Sequence, residues 1–290
     1  MPQNSHPATS VVCQLKTEMR FKRCTCVTLD LWETLLVDEP EKDFLRREMR
    51  CEGLRQALSR FSAELSMMDL LKGYDESIGF LQESWRRNQD VPTVEQIRYI
   101  VNAASKGTVN MPESKRAVEE LQEAYTTPVL AIPPVLNSDA FFTLESMRNR
   151  AYKLGLISNT GRTHGRVLRK LLDKFGILDH FDATIFSDEV GWLKPDRRIF
   201  MAAADELKVE PTDVVHIGDD PERDVWGAKQ AGMRAILFDH EVPKGFKEQP
   251  GSLFALGRAT RSVPDSEIKP DGRISSLREA LKTIDSFGSV

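Results

Sequence analysis

The chain has 290 residues, 40% hydrophobic and 29% charged, with 17 Gly and 15 Pro. That balance excludes a disordered, collagen-like or coiled-coil protein, and the length predicts about two folding units, most simply a core with an insertion. Forty Lys and Arg against 44 Asp and Glu leave a formal charge of -4, so bulk electrostatics point to neither nucleic acid nor an anionic membrane.

Residues 1–20 lack the apolar core of a signal peptide, and no apolar run is long enough for a membrane span, so they read as a flexible leader on a cytoplasmic protein. Cys13, Cys24, Cys26 and Cys51 form neither a disulfide framework nor a zinc pattern. The first strand signal is the β-branched run at 24–29, CTCVTL, which stops at Asp30. From about 41 to 125 the spacing turns helical. Cys51, Leu54, Leu58, Phe61 and Leu65 repeat at three and four, then Met68, Leu71, Ile78, Leu81 and Trp85, with shorter helices at 94–105 and 113–125.

After the Pro-rich stretch at 126–136 the rhythm changes. Helices at 139–152, 163–175, 196–207 and 221–231 precede strands at 154–158, 183–187, 213–218 and 234–238 respectively. Short strands alternating with amphipathic helices predict an α/β core with a Rossmann-like, doubly wound parallel sheet. Residues 240–272 read as a loop and 274–284 as a closing helix. The core is thus expected at 21–36 and 134–290, with an all-helical insertion at 37–133 above the strand ends, where such sheets bind ligands.

Four strand ends carry polar residues: Asp30 in TLDLWETL, Ser158 in LISNTG, Lys194 in VGWLKPD, and Asp219 with Asp224 in GDDPERD. In a parallel sheet these ends open on one edge. A carboxylate can be a nucleophile, a hydroxyl and a lysine can hold phosphate oxygens, and further carboxylates can hold Mg²⁺.

These four ordered motifs resemble the haloacid dehalogenase-like hydrolase superfamily, of the type with a helical cap between the first and second motifs, and the resemblance covers about residues 21–240. It implies Mg²⁺-dependent hydrolysis of a small phosphate monoester or acyl phosphate through an aspartyl-phosphate on Asp30. Ser158 would bind the transferring group, Lys194 would neutralise charge, and Asn159 could orient substrate. Asp219 would ligate Mg²⁺ with Asp30 and the backbone carbonyl of Trp32, with Asp224 supporting through water or through Lys194.

One position departs from the pattern. Phosphatases of the superfamily usually carry Asp two residues after the nucleophile as the general acid and base, whereas this chain has Trp32, whose indole can only donate a hydrogen bond. Glu33 follows where relatives usually have Gly. The superfamily's metal-free 2-haloacid dehalogenases carry an aromatic residue at the position of Trp32, which keeps that activity as an alternative, although Asp219 and Asp224 match the metal-binding pattern instead. A catalytically weak binding or scaffold protein is a further alternative.

Several residues have plainer readings. Asp220 before Pro221 is expected to cap a helix, as is Thr160. His216 is expected to be a packed core histidine, and His164 a solvated one. The arginines at 46, 47, 50, 55, 60, 86 and 87 read as a solvated helix face, and Tyr74, Phe80 and Trp85 as core.

Overall fold

The structure, a computed structural model, describes residues 24–239 and 262–287. The expected leader at 1–20 and most of the loop at 240–272 lie outside them. Six parallel strands form one sheet: β1 (Cys26–Leu29), β4 (Lys153–Ser158), β5 (Ala183–Phe186), β6 (Val214–Gly218), β7 (Arg234–Phe238) and β8 (Gly272–Ile274). Their order is β5-β4-β1-β6-β7-β8, so β1 is central, paired with β4 on one side and β6 on the other. β8, three residues inside the expected loop and closing helix, carries too little pattern to stand out; the helix begins later, at Ala280–Ser286.

Helices cover both faces of the sheet, as the apolar runs of strands buried on both sides require. On one face lie α6 (Ala140–Asn149), α7 (Gly165–Lys174) and the C-terminal helix, which bury Leu144, Met147, Leu168, Leu171 and Ile284 against Val27 and Leu156. On the other, α9 (Arg197–Leu207) and α10 (Gly227–Gln230) bury Phe200, Ala203 and Ala228 against Ile157 and Val214. A short helix, α8 (Ser187–Val190), follows β5.

Between β1 and α6 the chain forms helices α1 (Pro40–Ser59), α2 (Met67–Trp85), α3 (Thr93–Ser105), α4 (Lys115–Thr126) and α5 (Pro128–Ala131). The first four share their own core, built on Cys51, Leu54, Leu58, Leu70, Tyr74, Ile100 and Tyr125. The burial phase of α2 differs from the expected one. Leu70, Tyr74, Ser77 and Leu81 face inward at spacings of three and four, while Met68 is 77% exposed. Where this insertion leaves and rejoins the core, two short strands pair antiparallel, β2 (Leu36–Val37) with β3 (Val135–Leu136). Asn137 reinforces the junction, its backbone N–H donating to Leu35 O at 2.9 Å and its side-chain amide to Thr34 O at 3.0 Å. No helix among the described residues is long and apolar enough to cross a membrane.

Candidate active site

The carboxyl ends of β1, β4 and β6 bring the sequence-selected residues to one edge. Asp30 directly follows β1, and its backbone N–H donates to Ile217 O on β6 at 2.9 Å. The Lys194 ammonium reaches it from the loop before α9, donating to Asp30 Oδ1 and, at 2.6 Å, to Asp224 Oδ1. Carboxylate oxygens of Asp30, Asp219 and Asp224 all lie within 4.8 Å of one another.

Asp224 is the most firmly held of the three. Its Oδ2 accepts from the Asp220 N–H at 2.9 Å, and its Oδ1 faces His216 Nε2 at 3.2 Å. His216 is fully buried and its Nδ1 pairs with the Thr28 hydroxyl at 2.9 Å, so the expected core histidine also fixes a carboxylate of the site. Gly218 leaves room for this arrangement: a Cβ there would lie 2.2 Å from the Asp224 carboxyl carbon. Asp220 caps the next helical turn as expected, accepting from Glu222 and Arg223 N–H groups at 2.9 Å each, and that turn, Pro221–Trp226, is wound as a π-helix. Such turns are frequent at functional sites.

Crowding three acids around one lysine sets their protonation. Burial pushes Asp30 up to about 7, with Lys194 opposing and Asp224 adding to the shift. Burial also raises Asp219 well above the carboxylate range, reinforced by Asp224 and Asp30. Burial works against the Asp224 charge too, but Lys194 and His216 overcome it and hold that carboxyl below its ordinary value. Lys194 is raised because its two carboxylates outweigh its burial, and His216 is lowered by burial.

In the second motif the side chains are held by neighbouring backbone and side-chain groups. Ser158, at the end of β4, is fully buried, and its hydroxyl donates to Asn159 O at 3.3 Å. The Asn159 amide grips the peptide of Lys194, donating to Lys194 O at 3.1 Å and accepting from Lys194 N at 2.8 Å; its side chain therefore positions the lysine. Thr160 does not cap α7. Its hydroxyl donates to Asp90 Oδ2 at 3.1 Å, and Asp90 also accepts from the Ser187 hydroxyl, which ties the insertion to the core. The start of α7 is served by Asp188, which accepts from the Gly165 N–H at 3.2 Å. Asp188 also holds His164 Nδ1 at 2.8 Å, while His164 Nε2 meets the Thr93 hydroxyl at 2.7 Å. His164 is thus a second tie to the insertion rather than a solvated residue.

A cavity of about 130 Å³ lies between the strand ends and the insertion. Its floor includes Asp30, Lys194, Asp219 and Asp224, and Trp32 and Glu33 line it as well. Glu33 has a left-handed backbone, φ 60°, and its Oε1 accepts from the Asp38 N–H at 3.1 Å. A glycine adopts that conformation without strain, which is the physical reason for Gly at this position elsewhere. Trp85, expected in the core, lines the opposite side.

The arginine expectation holds only in part. Arg47, Arg55 and Arg60 pair with Asp75, Glu52 and Glu120, and Arg86 and Arg87 with Glu83, all at the outer surface. Arg46 and Arg50 are buried and line the cavity instead. Arg46 pairs with Asp38, whereas Arg50 donates to Tyr125 O at 3.1 Å and, at 3.4 Å each, to the hydroxyls of Tyr74 and Thr163. Arg162, two residues beyond Thr160, also lines the cavity. It enters the insertion's core, donating to the Tyr125 hydroxyl at 2.6 Å and the Ser77 hydroxyl at 3.0 Å, with its guanidinium 3.9 Å from the Tyr74 ring centroid. Sequence reasoning passed over Arg162; its one signal was its place just after the SNTG motif.

Similarity to known proteins agrees with this geometry. Over 267 residues the chain is 29% identical to a phosphoserine phosphatase of Thermus thermophilus, spanning 87% of this chain and 96% of that one. It is 41% identical over 95 residues to the haloacid dehalogenase-like hydrolase domain-containing protein 3 of Bos taurus, a match covering 33% of this chain and about a third (36%) of that protein. The crystal structure of a 2-haloacid dehalogenase from Pseudomonas syringae superposes with a TM-score of 0.60 at 22% identity, covering 91% and 99% of the two chains, which shows a shared fold. The model of the haloacid dehalogenase-like hydrolases matches residues 24–232, a span that holds every strand-end motif above, and the chain belongs to that hydrolase family.

Proposed function

We propose that the chain is a Mg²⁺-dependent phosphatase of small phosphate monoesters or acyl phosphates, with Asp30 as nucleophile. The observation that carries this reading is the meeting of Asp30, Lys194, Asp219 and Asp224 at one end of the sheet, lining one cavity. An Asp30 oxygen attacks phosphorus, the bond from phosphorus to the leaving oxygen breaks, and water then hydrolyses the aspartyl-phosphate to return the carboxylate and release phosphate. Lys194 offsets the charge of the nucleophile and of the phosphoryl oxygens. Ser158 serves the transferring group through its hydroxyl, and Asn159 holds Lys194 in register.

The donor set fits magnesium. Three buried or half-buried carboxylates lie together, two of them on Lys194, and hard oxygen donors at this density suit a small divalent cation. Asp30 and Asp219, with the Trp32 backbone carbonyl, would hold it, and Asp224 would steady the set through Lys194. When bound, the ion neutralises the acids and the phosphoryl oxygens. The helical insertion acts as a cap that excludes water and admits a small substrate.

Trp32 sets the chemistry's limit. With no carboxylate two residues after Asp30, good leaving groups such as acyl or aryl phosphates need the least help. The test is hydrolysis of p-nitrophenyl phosphate with Mg²⁺ and with EDTA, against Asp30→Asn protein. Turnover that needs the metal and falls by about 10⁴-fold or more in the variant is expected. EDTA-insensitive chloride release from 2-chloropropionate, without phosphate release, would replace this reading with the dehalogenase one. Neither activity above the variant would leave a binding protein.

A further inference from the structure

We propose that Arg50 and Arg162 together hold a second oxyanion of the substrate, a carboxylate or another phosphoryl group, on the side of the cavity opposite the carboxylate floor. The inference rests on the phosphatase reading and names its substrate class: small phosphate esters that carry a further negative group.

Arg50 is 4% and Arg162 2% exposed, and both line the cavity. A buried guanidinium without an opposing charge is costly, because burial removes its hydration. Arg46, on the same helix as Arg50, shows the usual remedy: it contacts the buried Asp38 and lies 3.8 Å from Asp43. Among the described residues no carboxylate lies within ion-pair distance of Arg50 or Arg162; their hydrogen-bond partners are neutral oxygens of Tyr74, Ser77, Tyr125 and Thr163, and Asp43 acts on Arg162 only from further off. Three N–H contacts are directed to these oxygens from each guanidinium, which offers five donors. The Tyr74 ring offsets part of the cost for Arg162.

Helix packing alone gives no reason to place two such cations here, since neutral side chains could fill the same space. Both guanidinium groups reach Tyr74 and Tyr125, Arg50 at the Tyr74 hydroxyl and the Tyr125 carbonyl, Arg162 at the Tyr125 hydroxyl and the Tyr74 carbonyl and ring. They come from opposite sides of the boundary, Arg50 from α1 and Arg162 from the loop after β4. An anion bound between them would therefore satisfy the charge of both and join insertion to core, with the planar, multiple-donor geometry that guanidinium offers to carboxylate and phosphate.

The test is calorimetric titration of the full chain with Mg²⁺ present, using phosphonoacetate, its neutral match phosphonoacetamide, and methylenediphosphonate. Phosphonoacetate or methylenediphosphonate is expected to bind roughly ten- to a hundredfold tighter than the amide. That preference should collapse to about unity in Arg50→Gln and in Arg162→Gln, and survive in part in Arg50→Lys, which keeps the charge. Whichever anion binds more tightly identifies the second group as carboxylate or phosphoryl. Equal binding of acid and amide by the wild type, a preference that persists in Arg50→Gln, or no measurable binding of either anion would overturn the proposal. Should Arg162→Gln fail to fold, Arg50→Gln decides alone. Absent turnover of p-nitrophenyl phosphate with the acid preference intact would remove the phosphatase reading and keep this one.

Discussion

On the cavity floor, Lys194 contacts two carboxylates, Asp30 and Asp224, and Asp224 is held further by His216 and the Asp220 N–H. In the wall, Arg50 and Arg162 are as deeply buried, yet they meet hydroxyls, backbone carbonyls and a tyrosine ring. The floor thus holds its lysine with the protein's own carboxylates, but three acids against one lysine leave it net negative. In the proposal above, the charge of Arg50 and Arg162 is matched by the substrate, since no carboxylate among the described residues lies within ion-pair distance of either. The contrast sets a carboxylate-rich floor against a wall that carries Arg50 and Arg162, and it can be broken at specific residues.

The largest effect is expected at Lys194. Lys194→Met removes the cation between Asp30 and Asp224 and should lower p-nitrophenyl phosphate turnover by about 10³-fold or more, with a stability loss of about 3 kcal/mol in denaturant unfolding. Retention of a tenth of the activity would show that the floor does not work as a unit. Trp32→Asp tests what the floor lacks. It should raise turnover of alkyl phosphates by roughly 10²-fold and of p-nitrophenyl phosphate by less; equal gains would refute a missing acid and base as the limit. Gly218→Ala forces a methyl group onto the Asp224 carboxylate, and a loss of about 2 kcal/mol is expected in melting or denaturant experiments.

The smallest effect concerns how the wall is attached. Burial pushes Asp90, which joins the insertion to Thr160 and Ser187, up to about 6. A carboxyl raised on folding binds more protons in the folded state, so its contribution to stability falls as pH rises between about 4 and 6 and is constant above. Melting curves of Asp90→Asn should lose that part of the slope. An unchanged slope would assign it to other groups.

How much of this was legible in the sequence follows from the same division. Asp30 and Asp219 stand directly after a strand, so the parallel sheet had to gather them, while Lys194 follows the short helix after β5 and Asp224 sits in the helical turn after β6, and both were located by their local motifs. Arg50 was read as solvated because it sits among ion-paired surface arginines on α1; its burial depends on Tyr74 and Tyr125, which come from α2 and α4. Arg162 carries no helical or strand pattern at all. The phase of α2 was misread because Met68 resembles a core residue, while the small, buried Ser77 does not. β2, β3 and β8 are two or three residues long, too short for alternation to show. Ser158 was found, but which way its hydroxyl turns depends on the Asn159 carbonyl beside it.

The β2–β3 pair has an architectural consequence. Leu36 and Leu136 are register partners, so the chain departs for the helices and returns at points about 5 Å apart. A detour whose two ends touch can be lengthened, shortened or exchanged for a simple turn without moving β1 relative to β4 or β6. The sheet can therefore hold its strand-end residues in place whatever the helices do, like a lens mount that accepts different lenses.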